Sequence, residues 1–263
     1  MYPYINVFSF ELPTYGLISL LGVLAAGLVS LRIIKKRNVD VNSFLVTAIA
    51  AAVGLFIGAH LLYGITRIAD IAEAFREYSY FESFFEFLKY LSELFGGMVF
   101  YGGLYGGLIT GYLWAKHKKY NVSGLSDVFA VAIPIFHAFG RVGCFFAGCC
   151  YGAESEWGIA GRVIVADVRE NVKRIPVQLI EAFLLLLLFS IMLWLFLKNR
   201  AKGNLIFVYL LIYAVMRFIL EFIRGDEIRG RLLMFSTSQW ISIITLLWVI
   251  AYLVIRKQRK DKE

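Results

Sequence analysis

Long apolar runs dominate the hydrophobic pattern of this chain. Seven stretches are long enough to form a helix of about 20 residues, which is the length that crosses the hydrocarbon core of a bilayer. They cover residues 15–34, 44–66, 97–115, 128–149, 177–197, 205–223 and 237–256. The pattern therefore predicts an all-α polytopic membrane protein with seven transmembrane helices, forming a single integral membrane domain over residues 1–263.

Two connections between these runs are longer than a turn. Residues 67–96 place phenylalanines and leucines at helical spacing, with glutamates on the other side. This pattern predicts an amphipathic helix that either lies in the membrane interface or packs on the outer ends of the bundle. Residues 151–176 are more polar and predict a small extracytoplasmic cap with some strand.

The charges between the runs predict the orientation. Every second connection is strongly basic: 32–37, 116–119, 198–202 and the tail from Arg256 to Lys262. In the other connections acids balance the basic residues, and these acids include Asp167, Asp226 and Glu227. Lysine and arginine are enriched in cytoplasmic loops. We therefore expect an N-out, C-in, multi-pass protein of the cell membrane.

The composition supports a membrane protein and argues against a nucleic-acid partner. Hydrophobic residues make up 60% of the 263 positions and charged residues 17%, whereas a soluble domain carries roughly 25% charged residues. The net charge of +8 is divided among short loops and does not gather on one face. A nucleic-acid partner is therefore not expected, and we expect a monomer in the membrane.

Two arginines are predicted inside the hydrocarbon region at the same depth. At 1.5 Å per helical residue, Arg141 and Arg217 lie about 20 Å and about 18 Å from the cytoplasmic ends of their runs. Buried charges in a membrane normally face a cavity or a partner. Other polar residues share this outer layer: Tyr15, His60, Tyr101, Gln178, Glu181, Glu221, Ser238 and Gln239. The sequence thus predicts a polar, outward-facing cavity for an anionic ligand; the alternative is an Arg217–Glu221 pair that only joins helices.

Helical spacing groups these residues into two stripes. His137, Arg141, Cys144 and Gly148 share one predicted helix face, and a second face carries Tyr213, Arg217, Glu221 and Arg224. Glycines also accumulate here, and they either allow close helix packing or admit a lipid headgroup. They include Gly102, Gly103, Gly106, Gly107, Gly140 and Gly143.

All three cysteines of the chain fall within seven residues. The spacing C-x4-C-C matches no common zinc motif, and only His137 is a nearby nitrogen ligand. The sequence predicts no metal site and no cofactor. Small apolar packing is one role for these thiols. For Cys144 we expect that it lines the ligand pocket and does not act as a covalent carrier, which would need a lowered pKa.

The motifs around these residues resemble those of the prolipoprotein diacylglyceryl transferase family. Residues 139–152, "FGRVGCFFAGCCYG", are similar to the family's signature segment, Gly-Arg-x-Gly-Asn-Phe-x-Asn-x-Glu-x-x-Gly, which ends at Gly152. Five further segments match in order: "TYGL", "MVFYGGLYGG", "PVQLIEA", "RFILEFIRGD" and "STSQWIS". The resemblance covers nearly the whole chain and implies a seven-helix, N-out, C-in fold.

The resemblance also implies a reaction and roles for single residues. The diacylglyceryl group of phosphatidylglycerol, or of a similar anionic phospholipid, moves to the thiol of a lipobox cysteine, and glycerol 1-phosphate is released. Catalytic positions of the family are occupied here by Arg141, Arg217, Tyr101, Glu221 and Tyr213. The resemblance further implies that substrate is bound by Tyr15, Gly102, Gly103, His137, Gly140, Cys144, Gly152, Gln178 and Glu181.

Several positions depart from the family pattern. Tyr101 and Ile175 replace two histidines, Cys144 and Ala147 replace two asparagines, and Cys149 replaces a glutamate. The residues alone therefore leave the general base open. They also leave two further interpretations: a related transferase that uses the same donor and another acceptor, and a non-catalytic lipid-binding membrane protein.

Overall fold

The computed structural model describes residues 3–7, 10–165, 168–225 and 231–260. Asp167, Asp226, Glu227 and Lys262, which entered the charge argument, lie outside these residues. The chain divides into two compact units. Unit 1 combines Met1–Asn38 with Ser123–Glu263, and unit 2 is Val39–Val122.

Helices form most of the described chain. In chain order the elements are β1 Tyr4–Val7, β2 Phe10–Pro13, α1 Thr14–Ile33, α2 Val41–Thr66, α3 Ile68–Arg76, α4 Phe84–Leu94, α5 Phe100–His117, α6 Val122–Ala147, β3 Glu154–Val165, β4 Val168–Arg174, α7 Val177–Leu197, α8 Leu205–Leu220, β5 Arg231–Leu232, β6 Phe235–Ser236 and α9 Thr237–Lys260. The strands form three antiparallel pairs, β1–β2, β3–β4 and β5–β6.

Among the described residues, six helical segments are long and apolar enough to cross a membrane: Thr14–Arg37, Val41–Thr66, Val122–Ala147, Val177–Leu197, Leu205–Ile223 and Thr237–Arg256. The prediction of a mostly helical, polytopic membrane protein is therefore confirmed. Helix α5 corresponds to the third predicted span, but its glycines and tyrosines and the terminal Lys116 and His117 make it less apolar than the six.

Unit 2 is built on a close contact between α2 and α5. A Cβ atom on Gly58 would lie 2.3 Å from the carbonyl oxygen of Gly102, and one on Gly106 would lie 2.2 Å from that of Gly54. No side chain fits at such separations, so these glycines let the two helix backbones touch. The remainder of unit 2 is formed by α3 and α4.

Residues 67–96 fold into the two short helices α3 and α4, separated by a 3-10 turn at Tyr78–Tyr80. The rings of Phe75, Tyr78 and Phe81 meet Phe87 edge to face, with centroids 4.9–5.3 Å apart. Phe87 is buried, whereas Phe85 on the opposite side of α4 is 81% exposed. The segment therefore has a small aromatic core of its own and still presents apolar surface.

In unit 1, α6 begins six residues before the predicted fourth span and ends at Ala147. The earlier start brings Asp127 into the helix, where its carboxylate accepts a hydrogen bond of 2.8 Å from Nε of Arg37. The guanidinium also donates to the side chain of Asn199 and the carbonyl of Phe196. The backbone amides of Gly203 and Leu205 donate to Asp127 as well. This network ties the ends of α1, α7 and α8 to α6.

The end of α6 is set by Gly148, whose φ of 76° lies in the left-handed region. The amide of Gly148 donates to the carbonyl of Phe145, and the amide of Cys149 donates to that of Cys144. This pair of bonds is the Schellman helix stop, for which glycine is favoured. The predicted helix face that extended to Gly148 is therefore wrong for that residue, because the helix has already ended.

Candidate functional site

Glu181 is the centre of a buried polar cluster in unit 1. It lies in the first turns of α7, and its carboxylate is 3.0 Å from Nε of Arg141 on α6. The contact is an ion pair without the alignment of a hydrogen bond. The other carboxylate oxygen accepts a hydrogen bond of 3.4 Å from the hydroxyl of Tyr213 and lies 3.9 Å from Nε2 of His137. The imidazole of His137 also packs edge to face on Tyr213, with centroids 5.2 Å apart.

Arg217 forms a second buried ion pair at the end of α8. Its Nη2 atom lies 2.5 Å from Glu221 and donates to the hydroxyl of Ser238 at the start of α9. Glu221 stands in the 3-10 turn that follows α8, and Nε of Arg224 lies 3.9 Å from the same carboxylate oxygen. The predicted stripe of four residues thus continues past the helix end, through this turn.

The two ion pairs belong to one electrostatic site. Arg141 and Arg217 both act on the carboxylate of Glu181, and so does Arg224. Arg141 is 7% exposed and Arg217 is 2% exposed. Three guanidinium groups and two carboxylates leave the cluster with one excess positive charge while His137 is neutral. Such a site favours an anion.

Arg217 contributes a buried donor that has no acceptor among the described residues. The Nη1 atom of Arg217 is fully buried and has no hydrogen-bond partner among the described residues. A buried donor without a partner costs about 1–3 kcal/mol, and more when it is charged. An anionic ligand would supply the missing acceptor.

The chain after α6 closes one side of this region. The amide of Gly152 donates to the carbonyl of Ile175, that of Ala153 donates to Ile223, and that of Gly225 donates to Tyr151. A Cβ atom on Gly152 would lie 2.5 Å from the carbonyl oxygen of Ile175. Gly152 is therefore required where three backbone segments meet. The 154–174 segment then forms the β3–β4 hairpin, which Arg174 and Glu154 brace with an ion pair of 2.8 Å.

Two glycines on α6 have different surroundings. A Cβ atom on Gly143 would lie 3.0 Å from the ring of Tyr15, so this glycine admits the tyrosine against the helix. A Cβ atom on Gly140 would meet no atom within 4 Å. Gly140 therefore leaves open space directly before Arg141.

The three cysteines converge beside Arg141. The Sγ atoms of Cys144, Cys149 and Cys150 all lie within 4.8 Å of one another. The Schellman stop turns the chain back over the last turn of α6, and the φ of 59° at Cys150 continues that turn. The expectation of no metal site rested on the spacing C-x4-C-C, which matches no common zinc motif, yet the fold brings the three thiols together.

Hydrogen bonds among the three thiols shift the pKa values of Cys149 and Cys150. Hydrogen bonds from Cys144 and Cys149 lower the pKa of Cys150 well below that of an ordinary cysteine, and the charges of Arg141 and Arg224 act in the same direction. The hydrogen bonds with Cys144 and Cys150, together with burial, raise the pKa of Cys149. Gln178 fixes the backbone here, because its Nε2 atom donates to the carbonyl of Cys149 at 2.7 Å.

Comparison with known proteins identifies the family of the chain. The family described as prolipoprotein diacylglyceryl transferase matches residues 3–255. The chain belongs to the prolipoprotein diacylglyceryl transferase family.

Curated relatives from several bacteria agree with this. The chain is 32% identical over 257 residues to the phosphatidylglycerol–prolipoprotein diacylglyceryl transferase of Clostridium tetani, covering 97% of this chain and 98% of the relative. It is 31% identical over 264 residues to transferase 2 of Clostridium perfringens, covering 98% and 96%. It is 29% identical over 260 residues to the transferase of Helicobacter pylori, covering 94% and 90%. The resemblance found in the sequence motifs is confirmed.

Unit 1 of this transferase family member holds eleven of the fourteen predicted site residues, and Tyr101, Gly102 and Gly103 belong to unit 2. Tyr101 is buried and stacks on Tyr105, with centroids 6.2 Å apart. The carbonyl of Gly58 lies where a Cβ atom on Gly102 would stand, so the contact between α2 and α5 explains this glycine without a ligand. The catalytic role of Tyr101 and the substrate-binding roles of Gly102 and Gly103 stay predictions.

Two relationships in this cluster were not evident from the sequence. Glu181 and Arg141 were both singled out, but not as an ion pair, because a pair that joins α6 to α7 has no local spacing signal. Ser238 was assigned only to the polar layer, and it is a direct partner of Arg217. Ser238 is the second serine of the motif "STSQWIS", and this motif is the sequence feature that pointed to its position.

Proposed function

We propose that this protein transfers the diacylglyceryl group of phosphatidylglycerol to the cysteine thiol of a prolipoprotein. Membership of the transferase family and the names of its relatives support both the donor and the acceptor. The cluster of Arg141, Arg217 and Arg224 provides the chemistry that an anionic donor needs. The buried, unpartnered Nη1 atom of Arg217 is the observation that carries the assignment.

In this proposal, Arg141 and Arg217 bind the phosphate of the donor lipid. A guanidinium presents planar, paired donors that match phosphate oxygens. Glu181 holds Arg141 through Nε, and this leaves the two Nη groups for the ligand. Glu221 holds Arg217 through Nη2, and this leaves Nη1. Each carboxylate thus fixes its arginine in place before the lipid arrives.

The reaction exchanges one bond for another at the carbon of the diacylglyceryl group that is bonded to the phosphate. The acceptor thiol gives up its proton to water or to the departing phosphate. Its sulfur attacks that carbon and forms the thioether, while the bond to the phosphate oxygen breaks and glycerol 1-phosphate leaves. Negative charge grows on the departing phosphate, so fixed cations stabilise the transition state more than the ground state. Tyr213 and His137 contact Glu181, and we assign them to holding the Arg141–Glu181 pair.

The arrangement in the membrane is part of this proposal. We propose seven transmembrane helices, with α5 as the third, in an N-out, C-in arrangement of a cell-membrane monomer. The basic connections after the first, third, fifth and seventh spans support this orientation. In that arrangement the arginine cluster and the β3–β4 hairpin face the extracytoplasmic side. The exposed aromatic side of α3 and α4 would lie at the interface.

Purified protein tests this function directly. We would incubate it with phosphatidylglycerol and a lipobox peptide, and measure the mass of the peptide and the release of glycerol phosphate. A peptide with serine in place of its cysteine and a reaction with phosphatidylcholine are the controls. Phosphatidylglycerol turnover without modification of the cysteine peptide would indicate another acceptor. The absence of any turnover would leave a lipid-binding protein.

A further inference from the structure

The three thiols form a cluster that the proposed transfer does not require. The chain contains three cysteines, and all of them converge beside the arginine site. Nothing in the phosphate chemistry described above needs a sulfur ligand. The proposed transfer therefore leaves the role of these three thiols unexplained.

The distances suit a metal ion. A thiolate binds Zn(II) at about 2.3 Å, so three sulfurs around one ion stand roughly 4 Å apart. The Sγ atoms of Cys144, Cys149 and Cys150 lie within 4.8 Å of one another before any ion is bound. A contraction of under about 1 Å, available from side-chain rotation, brings them to coordination distance.

The cluster is also held in place and can be reached. Cys144 lies in the last turn of α6, and the Schellman stop fixes Cys149, whose backbone amide donates a hydrogen bond to the carbonyl of Cys144. Gln178 on α7 holds the carbonyl of Cys149. All three cysteines are partly exposed and none is in a disulfide. A site built from a helix end and a braced turn is preorganised for its ligand.

We propose that Cys144, Cys149 and Cys150 form a binding site for a thiophilic d10 metal ion, Cu(I) or Zn(II). Three soft thiolates select these ions over hard cations such as Mg(II) and Ca(II). All three cysteines bind the ion as thiolates, and the thiol protons that they still hold go to solvent, so the bound centre carries a net charge of about −1 with Zn(II) or about −2 with Cu(I).

The charge of that centre couples it to the arginine site. Cys144 follows Arg141 by one turn on the same helix face, and Arg141 acts electrostatically on Cys144 and Cys150. An anionic metal–thiolate centre there competes with the lipid phosphate for Arg141. We therefore expect the metal to inhibit the transfer. This consequence rests on the proposed function, whereas metal binding itself does not.

The binding experiment uses the reduced full-length protein in neutral-lipid nanodiscs. We would titrate it with Zn(II), and with Cu(I) held by a competing chelator, and measure bound metal per chain, reactive thiols and thiolate-to-metal absorption. One ion per chain should protect all three thiols. Metal that leaves the thiols fully reactive, or the absence of binding by either ion, overturns the site.

Single variants assign the ligands. Cys144→Ser, Cys149→Ser and Cys150→Asn should each weaken binding at least tenfold; asparagine is chosen because it tolerates the positive φ at position 150. His60→Gln is the matched control and should bind like the wild type. Undiminished binding in the triple cysteine variant would place the metal elsewhere. If a variant fails to fold, the thiol protection of the wild type still decides the question.

The coupling is measured separately, as the ratio of transfer rates with and without metal in each protein. At a metal concentration that just fills its site, the wild type should lose at least half of its rate, and Cys149→Ser should lose clearly less at the same concentration. Metal binding without inhibition would reject the coupling and leave the site. If no transfer is detected even without metal, the proposed function has failed and the binding data still stand.

Discussion

The carboxylate of Glu181 lies 3.0 Å from the guanidinium of Arg141, and both side chains are nearly inaccessible to solvent. Removal of one member of a buried ion pair leaves the other as an uncompensated charge. For Glu181→Gln in neutral lipid we therefore expect the free energy of unfolding to fall by about 3–5 kcal/mol. Added phosphatidylglycerol should stabilise the variant more than the wild type, because the lipid phosphate replaces part of the missing negative charge. Thermal and denaturant unfolding in nanodiscs measures both effects.

Glu154→Gln is the matched control for this prediction. Glu154 also pairs with an arginine, but its side chain is 63% exposed. The control should change stability little, since water screens exposed pairs. Equal stabilisation of the wild type and Glu181→Gln by phosphatidylglycerol would show that the lipid does not use Arg141.

The planar fork of each arginine is the second target. Arg141→Lys and Arg217→Lys keep the charge and remove the paired donors, so the transfer rate of each variant should fall at least about tenfold, equivalent to roughly 1.4 kcal/mol in the barrier. Arg174→Lys, in the β3–β4 hairpin, is the control and should retain its rate. The rate of peptide modification at saturating donor lipid measures the effect. Full activity in both site variants would make these arginines structural.

The open space before Arg141 leads to a third prediction. Gly140→Leu fills a region where a Cβ atom meets nothing within 4 Å. The protein should still fold, but the apparent KM for phosphatidylglycerol should rise several-fold if the lipid headgroup passes here. Gly27→Leu on α1 is an equally open site, and the donor KM of that variant should not change. An identical response of the two variants would contradict a passage at Gly140.

The long apolar runs predicted the helices well, because a stretch of about 20 apolar residues has few alternatives in a membrane. The predicted fourth span began at residue 128 and so missed the start of α6. Asp127 is buried there because it pairs with Arg37, and this distant contact has no local signal in the sequence. The 67–96 segment suggested one amphipathic helix, and it forms two, because Ser83 accepts a hydrogen bond from the amide of Glu86 and begins α4 anew.

At the site, too, neighbours within one helix were predicted from the sequence, and contacts between helices were not. Helical spacing placed Arg141 and Cys144 on one face, and it grouped Arg217 with Glu221. Contacts between elements have no such period. The pair of Arg141 with Glu181 joins residues on α6 and α7, and the meeting of the three thiols depends on the left-handed turn at Gly148. Such contacts follow from the tertiary fold.

The orientation of the protein has a direct test. Trp157 lies in the β3–β4 hairpin and is 96% exposed. In a background with serine at positions 144 and 149 and asparagine at position 150, Trp157→Cys should react with an impermeant maleimide in intact cells. Lys198→Cys, at the end of α7, should react only after the membrane is permeabilised. The opposite pattern would invert the proposed topology and place the arginine cluster on the cytoplasmic side.

The pair of Arg37 and Asp127 should be a major source of stability remote from the arginine site. Asp127→Ala leaves the buried guanidinium of Arg37 and the amides of Gly203 and Leu205 without their acceptor, so the free energy of unfolding should fall by about 3–5 kcal/mol. Asp40→Ala, which removes the exposed N-cap of α2, is the control and should cost about 1 kcal/mol. Denaturant unfolding in mixed micelles compares the two. Arg37→Met combined with Asp127→Ala should lose less than the sum of the single variants, because the double variant buries no unpaired charge. Strict additivity would show that the two residues act independently.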